Sequence, residues 1–321
     1  MTDFKNARMW SLLGPNGAFG IGMSALAKLD PNAVALTADL RSYSGLNRFA
    51  DEYPDRFYNM GIAEENMLGV AAGMAKEGFN PAVATYATFA AMRCADQIKV
   101  NMGYMRLPVK LVGLGAGLSV GILGSTHIAV EDVALIRAIP NIVIISPADC
   151  AETIKATIAL ANFAEPVYLR LTGGQGMPPV YKADYDFQIG KAVKLREGTD
   201  IAIIATGSMV YNSLKAAEML SASGISASVV NMHTIRPLDI SAVKEACKAK
   251  LIVTAEEHSV VGGLGSAVAE YLAPEKNRPP HLILGVAERY PHAGSYKYML
   301  EHYGLTPQGL AGSIAKFFKE I

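Results

Sequence analysis

Residues 58–75 read YNMGIAEENMLGVAAGMA, an Ala- and Gly-rich stretch with two adjacent acids, Glu64 and Glu65, and no Lys or Arg before Lys76. Its small and apolar residues predict a helix over residues 63–77. Both acids then sit in the first turn, where the helix dipole favours negative charge by up to ~1 kcal/mol. The neighbours Met60, Ile62, Met67, Leu68 and Val70, with Gly69, Ala71, Ala72 and Gly73, indicate a helix packed on most sides. A carboxyl group facing such surroundings is desolvated, which favours its neutral, hydrogen-bond-donating form. On these residues alone, an acid serving the dipole and a buried working acid are both open.

Around this helix, β-rich runs at 33–36, 82–85, 109–113, 142–146 and 167–171 alternate with helical patterns near 88–103, 128–138 and 149–161. That alternation predicts a parallel sheet with helices on both faces. Residues 172–189, TGGQGMPPVYKADYDFQI, break the rhythm with glycines and two prolines and read as a linker. Strand patterns return at 201–206, 226–232 and 250–255, with helical ones at 209–223, 240–249 and 262–273. Two consecutive three-layer α/β/α domains are therefore expected, over 1–171 and 190–321.

A chain of 321 residues exceeds the usual single-domain size. With 51% apolar and 18% charged residues, a large subunit interface is expected beside the cores. Lys plus Arg and Asp plus Glu both number 29, so nothing points to nucleic acid or an anionic membrane. Cys94, Cys150 and Cys247 follow no regular spacing, and the start MTDFKNARMW has no apolar core behind a basic segment. No run approaches the ~18 apolar residues of a spanning helix. A soluble cytoplasmic protein is the expectation.

The opening stretch resembles the segment of transketolases and 1-deoxyxylulose-5-phosphate synthases that reads, loosely, G-[IV]-x-E before a small-residue helix. In that family the motif's Glu contacts the pyrimidine ring of thiamine diphosphate. The register Gly61, Ile62, Ala63 puts this role on Glu64, with Ile62 beside the cofactor. Glu65 stands where the family has Gln or His and receives no role. An acid in an apolar wall suits a hydrogen bond to ring atom N1′, whose strength depends on burial.

The resemblance runs through nearly the whole chain. DPNAVALTADL (30–40) is similar to the family's entry strand, and Asp39 matches an acid near the cofactor where two subunits meet. YATFAAMRCADQ (86–97) resembles the aromatic segment of the pyrimidine pocket, which implies that Phe89 stacks on the ring with Tyr86 beside it; by spacing alone these are equally core aromatics. LGSTHIAVEDVALIRAIPNIVIISPAD (123–149) resembles the G-x-T-H block, so His127 would face the substrate oxygens and act as a catalytic group. Glu131 and Asp132 read as first-turn acids of the following helix. NMHTIRPLD (231–239) and EEHSVVGGLGSAV (256–268) resemble the transketolase C-terminal domain, which leaves His233 and His258 as structural residues.

Departures matter as much. The family anchors the diphosphate through a divalent metal on a G-D-G…N motif, which is absent here, and GLGAGLSVGILG (113–124) lacks P-loop chemistry. The resemblance therefore implies the C-terminal half of a split transketolase. It would lack metal ligands and work with an N-terminal subunit that holds the diphosphate and Mg2+, in an α2β2 heterotetramer. Leu123, Gly115 and Gly173 stand where substrate-contacting Asp, His and Arg are common, and Arg41 is a substitute candidate for binding sugar (phosphate) substrates. The beta subunit of a 2-oxoacid dehydrogenase first component, a 1-deoxyxylulose-5-phosphate synthase-like half and an inactive scaffold are the alternatives.

Overall fold

The computed structural model describes residues 6–181, 183–287, 290 and 292–321; the first five residues of the N-terminal reading and residue 182 of the linker reading lie outside these. The apolar runs of the first half become β1 (Ala33–Thr37), β2 (Phe57–Asn59), β3 (Asn80–Tyr86), β4 (Lys110–Ala116), β5 (Val143–Ile145) and β6 (Val167–Thr172). The second half supplies β7 (Val193–Arg196), β8 (Ile201–Ala205), β9 (Ala227–Asn231), β10 (Thr234–Arg236), β11 (Leu251–Ser259) and β12 (His281–Val286). Runs of Val, Ile, Leu and Ala buried on both faces, such as AVALT and IAIIA, form parallel strands covered by helices.

Two sheets result, in the orders β10-β5-β6-β4-β3-β1-β2 and β12-β11-β8-β9-β7. All pairs are parallel except β10 with β5 and β7 with β9. Two α/β units are thus present, as the alternation predicted. Sheet membership does not follow the chain division, because β10 from the second half completes the edge of the first sheet.

Several expectations change in detail. A helix at Ala7–Leu29, unread in the sequence, is interrupted at Gly14 (φ 74°) before Pro15, and these two residues mask its pattern. The helix read over 128–138 shortens to Asp132–Arg137, because Ala129 bridges to Gly117 and holds the preceding chain extended. The segment read as 88–103 is a helix with two widened π turns, Phe89–Arg93 and Ile98–Tyr104, around Ala95–Gln97. Helix Glu64–Lys76 is not packed on most sides: Glu64, Met67, Leu68, Ala71, Ala72 and Ala75 face the core, while Glu65, Asn66, Gly69 and Gly73 are exposed.

In the first sheet the chain steps from β1 out to β2, then returns past β1 to β3. Strand order therefore reverses between β1 and β3. In open α/β sheets such a reversal leaves a crevice at the carboxyl ends of the strands.

Candidate functional site

Segments leaving the carboxyl ends of β1, β2, β3 and β4 converge at that reversal. The turn after β2 passes through Gly61 in the left-handed region (φ 71°) and enters the helix at Glu64. Buried Met67, Leu68 and Ala71 anchor this helix on the sheet, which turns Glu64 inward with it. The Glu64 carboxyl is 3% exposed, and two groups touch it. Arg93 donates from Nη1 to Oε2 at 2.7 Å, and the Thr85 hydroxyl donates to Oε1 at 3.5 Å. The surroundings are therefore not purely apolar: a cation that the sequence reading left without a role sits against the acid.

Aromatic rings extend from this point. Phe89 and Tyr86 meet edge-on with centroids 5.8 Å apart, and His127 meets Tyr86 at 5.4 Å and Phe89 at 5.2 Å. The His127 Nδ1 is engaged by the Thr126 hydroxyl at 3.0 Å. Tyr86, Phe89 and His127 thus form one ring cluster, and Glu64 joins it through Arg93, whose Cζ lies 4.0 Å from the Phe89 centroid. Such a set, with a buried hydrogen-bonding carboxyl at one end and half-buried rings beside it, has groups of the kind that bind a flat nitrogen heterocycle. Cys94, next to Arg93, is pushed up to about 12 by burial, with Glu64 and Glu65 adding; it stays a thiol and offers no nucleophile.

Asp39 adopts a left-handed backbone (φ 57°), which costs a non-glycine residue about 1 kcal/mol or more. Asn59 holds it there: the Asp39 nitrogen donates to Asn59 Oδ1 at 3.0 Å, and Asn59 Nδ2 donates back to Asp39 Oδ1 at 3.1 Å. The same Asn59 oxygen accepts from Gly61 at 3.1 Å, so one side chain ties the strand end bearing Asp39 to the turn leading to Glu64. Sequence reasoning missed Asn59; an Asn two residues before a turn glycine is the available signal. Asp39 is exposed, and Ile62 is 79% exposed on the same turn.

Tyr43 continues the string of rings, 4.8 Å from Tyr86, into a cleft of about 670 Å³. Asn16, Ser119 and Gln175 line it, together with Gly115 and Gly173. Two of the three positions noted for missing substrate-contacting side chains therefore border one cavity, and there the wall is bare backbone. Its cation, Arg48, is paired with Glu52 at 2.7 Å. Leu123 is an exposed side chain. Arg41 is turned to Asp51 and lies 5.8 Å from the centre of the Phe57 ring, away from the aromatic cluster.

The remaining buried charges hold the frame. Asp132 is not a surface first-turn acid: it accepts from Arg170 Nε at 2.8 Å and Nη2 at 3.0 Å and from the Tyr168 hydroxyl at 2.7 Å. Burial alone would raise its pKa, yet the Arg170 guanidinium holds it below the ordinary carboxylate value. Arg170 also donates to the carbonyl of Glu257 at 3.0 Å, joining β6 to β11. His233 and His258 are fully buried. Among the described residues, no group of three or more His, Cys, Asp or Glu is placed to hold a metal ion, and no helix is long and apolar enough to cross a membrane.

Comparison with known proteins finds two family matches along the chain. Residues 16–177 match the family model "Transketolase, pyrimidine binding domain" and residues 190–310 match "Transketolase, C-terminal domain". The chain is 38% identical over 297 residues to one subunit of the apulose-4-phosphate transketolase of Phocaeicola vulgatus, covering 92% of this chain and 94% of that protein. It is 41% identical over 285 residues to the 6-deoxy-6-sulfo-D-fructose transketolase subunit SqwH of a Clostridium species, covering 87% of each. A solved structure described as a split gene transketolase, inactive beta4 tetramer, superimposes with a TM-score of 0.88 at 39% identity, covering 95% of this chain and 98% of that one. By its domains, its relatives and its backbone, the chain belongs to the transketolase family.

Proposed function

We propose that this chain is the pyrimidine-binding subunit of a split, thiamine diphosphate-dependent transketolase. The observation that carries the reading is the buried Glu64 carboxyl at the end of the Tyr86, Phe89 and His127 cluster. Glu64 would hold the ring by a hydrogen bond, Phe89 would stack on it, and Tyr86 would wall the pocket, with Asp39 and Ile62 on the rim. Bound there, the cofactor would supply the nucleophilic carbon needed for transfer of a two-carbon ketol unit from a ketose to an aldose. With Nδ1 held by Thr126, His127 presents Nε2 to a substrate oxygen, polarising it or carrying its proton.

With no G-D-G…N motif in the sequence, the diphosphate and Mg2+ are assigned to a partner subunit carrying the other cofactor domain. Exposed Ile62, Met92 and Tyr104 give that partner, or a second copy, apolar surface to cover. An α2β2 assembly in the cytoplasm follows as the working arrangement. At the substrate end, the cleft's lining cation Arg48 is paired with Glu52 and Arg41 is paired with Asp51, so a phosphate would have to break an ion pair to use either.

The purified chain with thiamine diphosphate and Mg2+ is expected to show no turnover alone and ketose-to-aldose transfer once the partner is added. In that complex Glu64→Ala should cut the rate by about three orders of magnitude or more while assembly persists. Activity that survives this substitution would point to a scaffold. Decarboxylation of 2-oxoacids in place of ketol transfer would point to the dehydrogenase alternative.

A further inference from the structure

Arg93 makes two contacts at the candidate site that together describe a flat ligand. Nη1 donates to Glu64 Oε2 at 2.7 Å, and Cζ lies 4.0 Å from the centroid of the Phe89 ring. The first is a charge-assisted hydrogen bond to a carboxyl that is 3% exposed; the second places the guanidinium over the ring within cation–π distance. The other neighbours of Phe89, Tyr86 and His127, stand at 81° and 64° to its plane and do not stack on it. Phe89 and Arg93 lie four residues apart in one π turn, a spacing that puts their side chains on the same side of the helix.

The proposed function asks the cofactor's aminopyrimidine to touch the same two side chains, with a hydrogen bond at the Glu64 carboxyl and a seat on the Phe89 ring. A ring seated on the same face of Phe89 as the guanidinium would have to displace it, since Cζ stands 4.0 Å from the centroid. We propose that Arg93 is an internal stand-in for the cofactor ring, a guanidinium that occupies the ring's seat in the cofactor-free subunit and leaves when the ring enters. The inference rests on the cofactor reading above and adds a competitor from the chain itself. A buried carboxyl without a hydrogen-bond partner is costly, and Arg93 supplies that partner until the cofactor does. Its side chain is 41% exposed, so solvent offers it a place to go.

Self-occupation lowers apparent affinity in proportion to the fraction of subunits in which the seat is free. The test is a calorimetric titration of the full complex, this chain with its partner subunit, with thiamine diphosphate and Mg2+. Arg93→Ala is expected to bind about fivefold tighter or more than wild type, with Arg93→Lys in between, since an ammonium keeps the charge without the plane. Wild-type binding that Arg93→Ala leaves unchanged or weakens would overturn this inference alone; no binding by either protein would remove the cofactor reading and this with it. A second measurement needs no variant. The Arg93 guanidinium resonances of the wild-type complex should shift to free, solvent-exposed values on saturation with cofactor, and resonances that stay put would also overturn the proposal.

Discussion

Glu257 reaches from β11 to the loop after β4, where Oε1 accepts the backbone N–H of Leu118 at 2.6 Å. Oε2 takes the Tyr296 hydroxyl at 2.7 Å and the Ser208 hydroxyl. One buried carboxylate thereby fastens the first sheet's loop to the second half of the chain. The approach depends on residue 117, since a Cβ there would lie 2.4 Å from Glu257 Oε1 on a backbone with φ +70°. Gly117→Ala is expected to cost about 2–4 kcal/mol in urea denaturation, because strain and a displaced carboxylate add. A loss under 1 kcal/mol would show that the loop is free to yield.

Asp132 and Arg170 should behave as a unit. Arg170→Met takes the guanidinium away from a buried carboxylate and leaves it the Tyr168 hydroxyl at 2.7 Å and His258 Nε2 at 3.8 Å, and a loss of about 3–5 kcal/mol is expected. Adding Asp132→Leu should recover part of it, so a double-mutant cycle will be strongly non-additive. Equal and additive losses would contradict the pairing.

Lys110 is buried, and its ammonium donates to the carbonyls of Phe163 and Glu165. Burial pushes its pKa down from 10.5 to about 7. Between those values the unfolded chain keeps a proton that the folded chain has lost, so stability rises with pH across that window. At about 1.4 kcal/mol per unit, wild type should gain roughly 2–3 kcal/mol from pH 7 to 9 relative to Lys110→Met, which lacks the proton in both states. Parallel stability curves for the two proteins would exclude the shift.

His127→Ala should lower kcat of the assembled enzyme by about 10²- to 10⁴-fold, with cofactor affinity changing little. A large loss of cofactor affinity with kcat preserved would make His127 a wall of the ring pocket instead.

The periodicity of AVALT, IAIIA and their counterparts made both α/β units legible, because strands buried on two faces leave an unmistakable apolar run. The short edge strands β2 and β10 were not legible: three residues carry no period, and tertiary pairing alone makes them strands. At the site, the aromatic and acidic members could be picked out by the motif they resemble. Arg93 and Asn59 could not, since their importance lies in what they touch after folding. The same holds for Asp132, whose place in a first turn looks like a surface position until Arg170 is seen beneath it.

The antiparallel pairing of β10 with β5 constrains how this gene could be divided. A break within residues 172–189 looks natural on paper, yet it would strip a strand from the upstream fragment and leave β5 as a bare, apolar margin open to further strands. Such a fragment should precipitate when made by itself and recover only when the downstream piece is co-expressed. Evolutionary fission in this protein is therefore expected to spare that joint, however loose its composition looks.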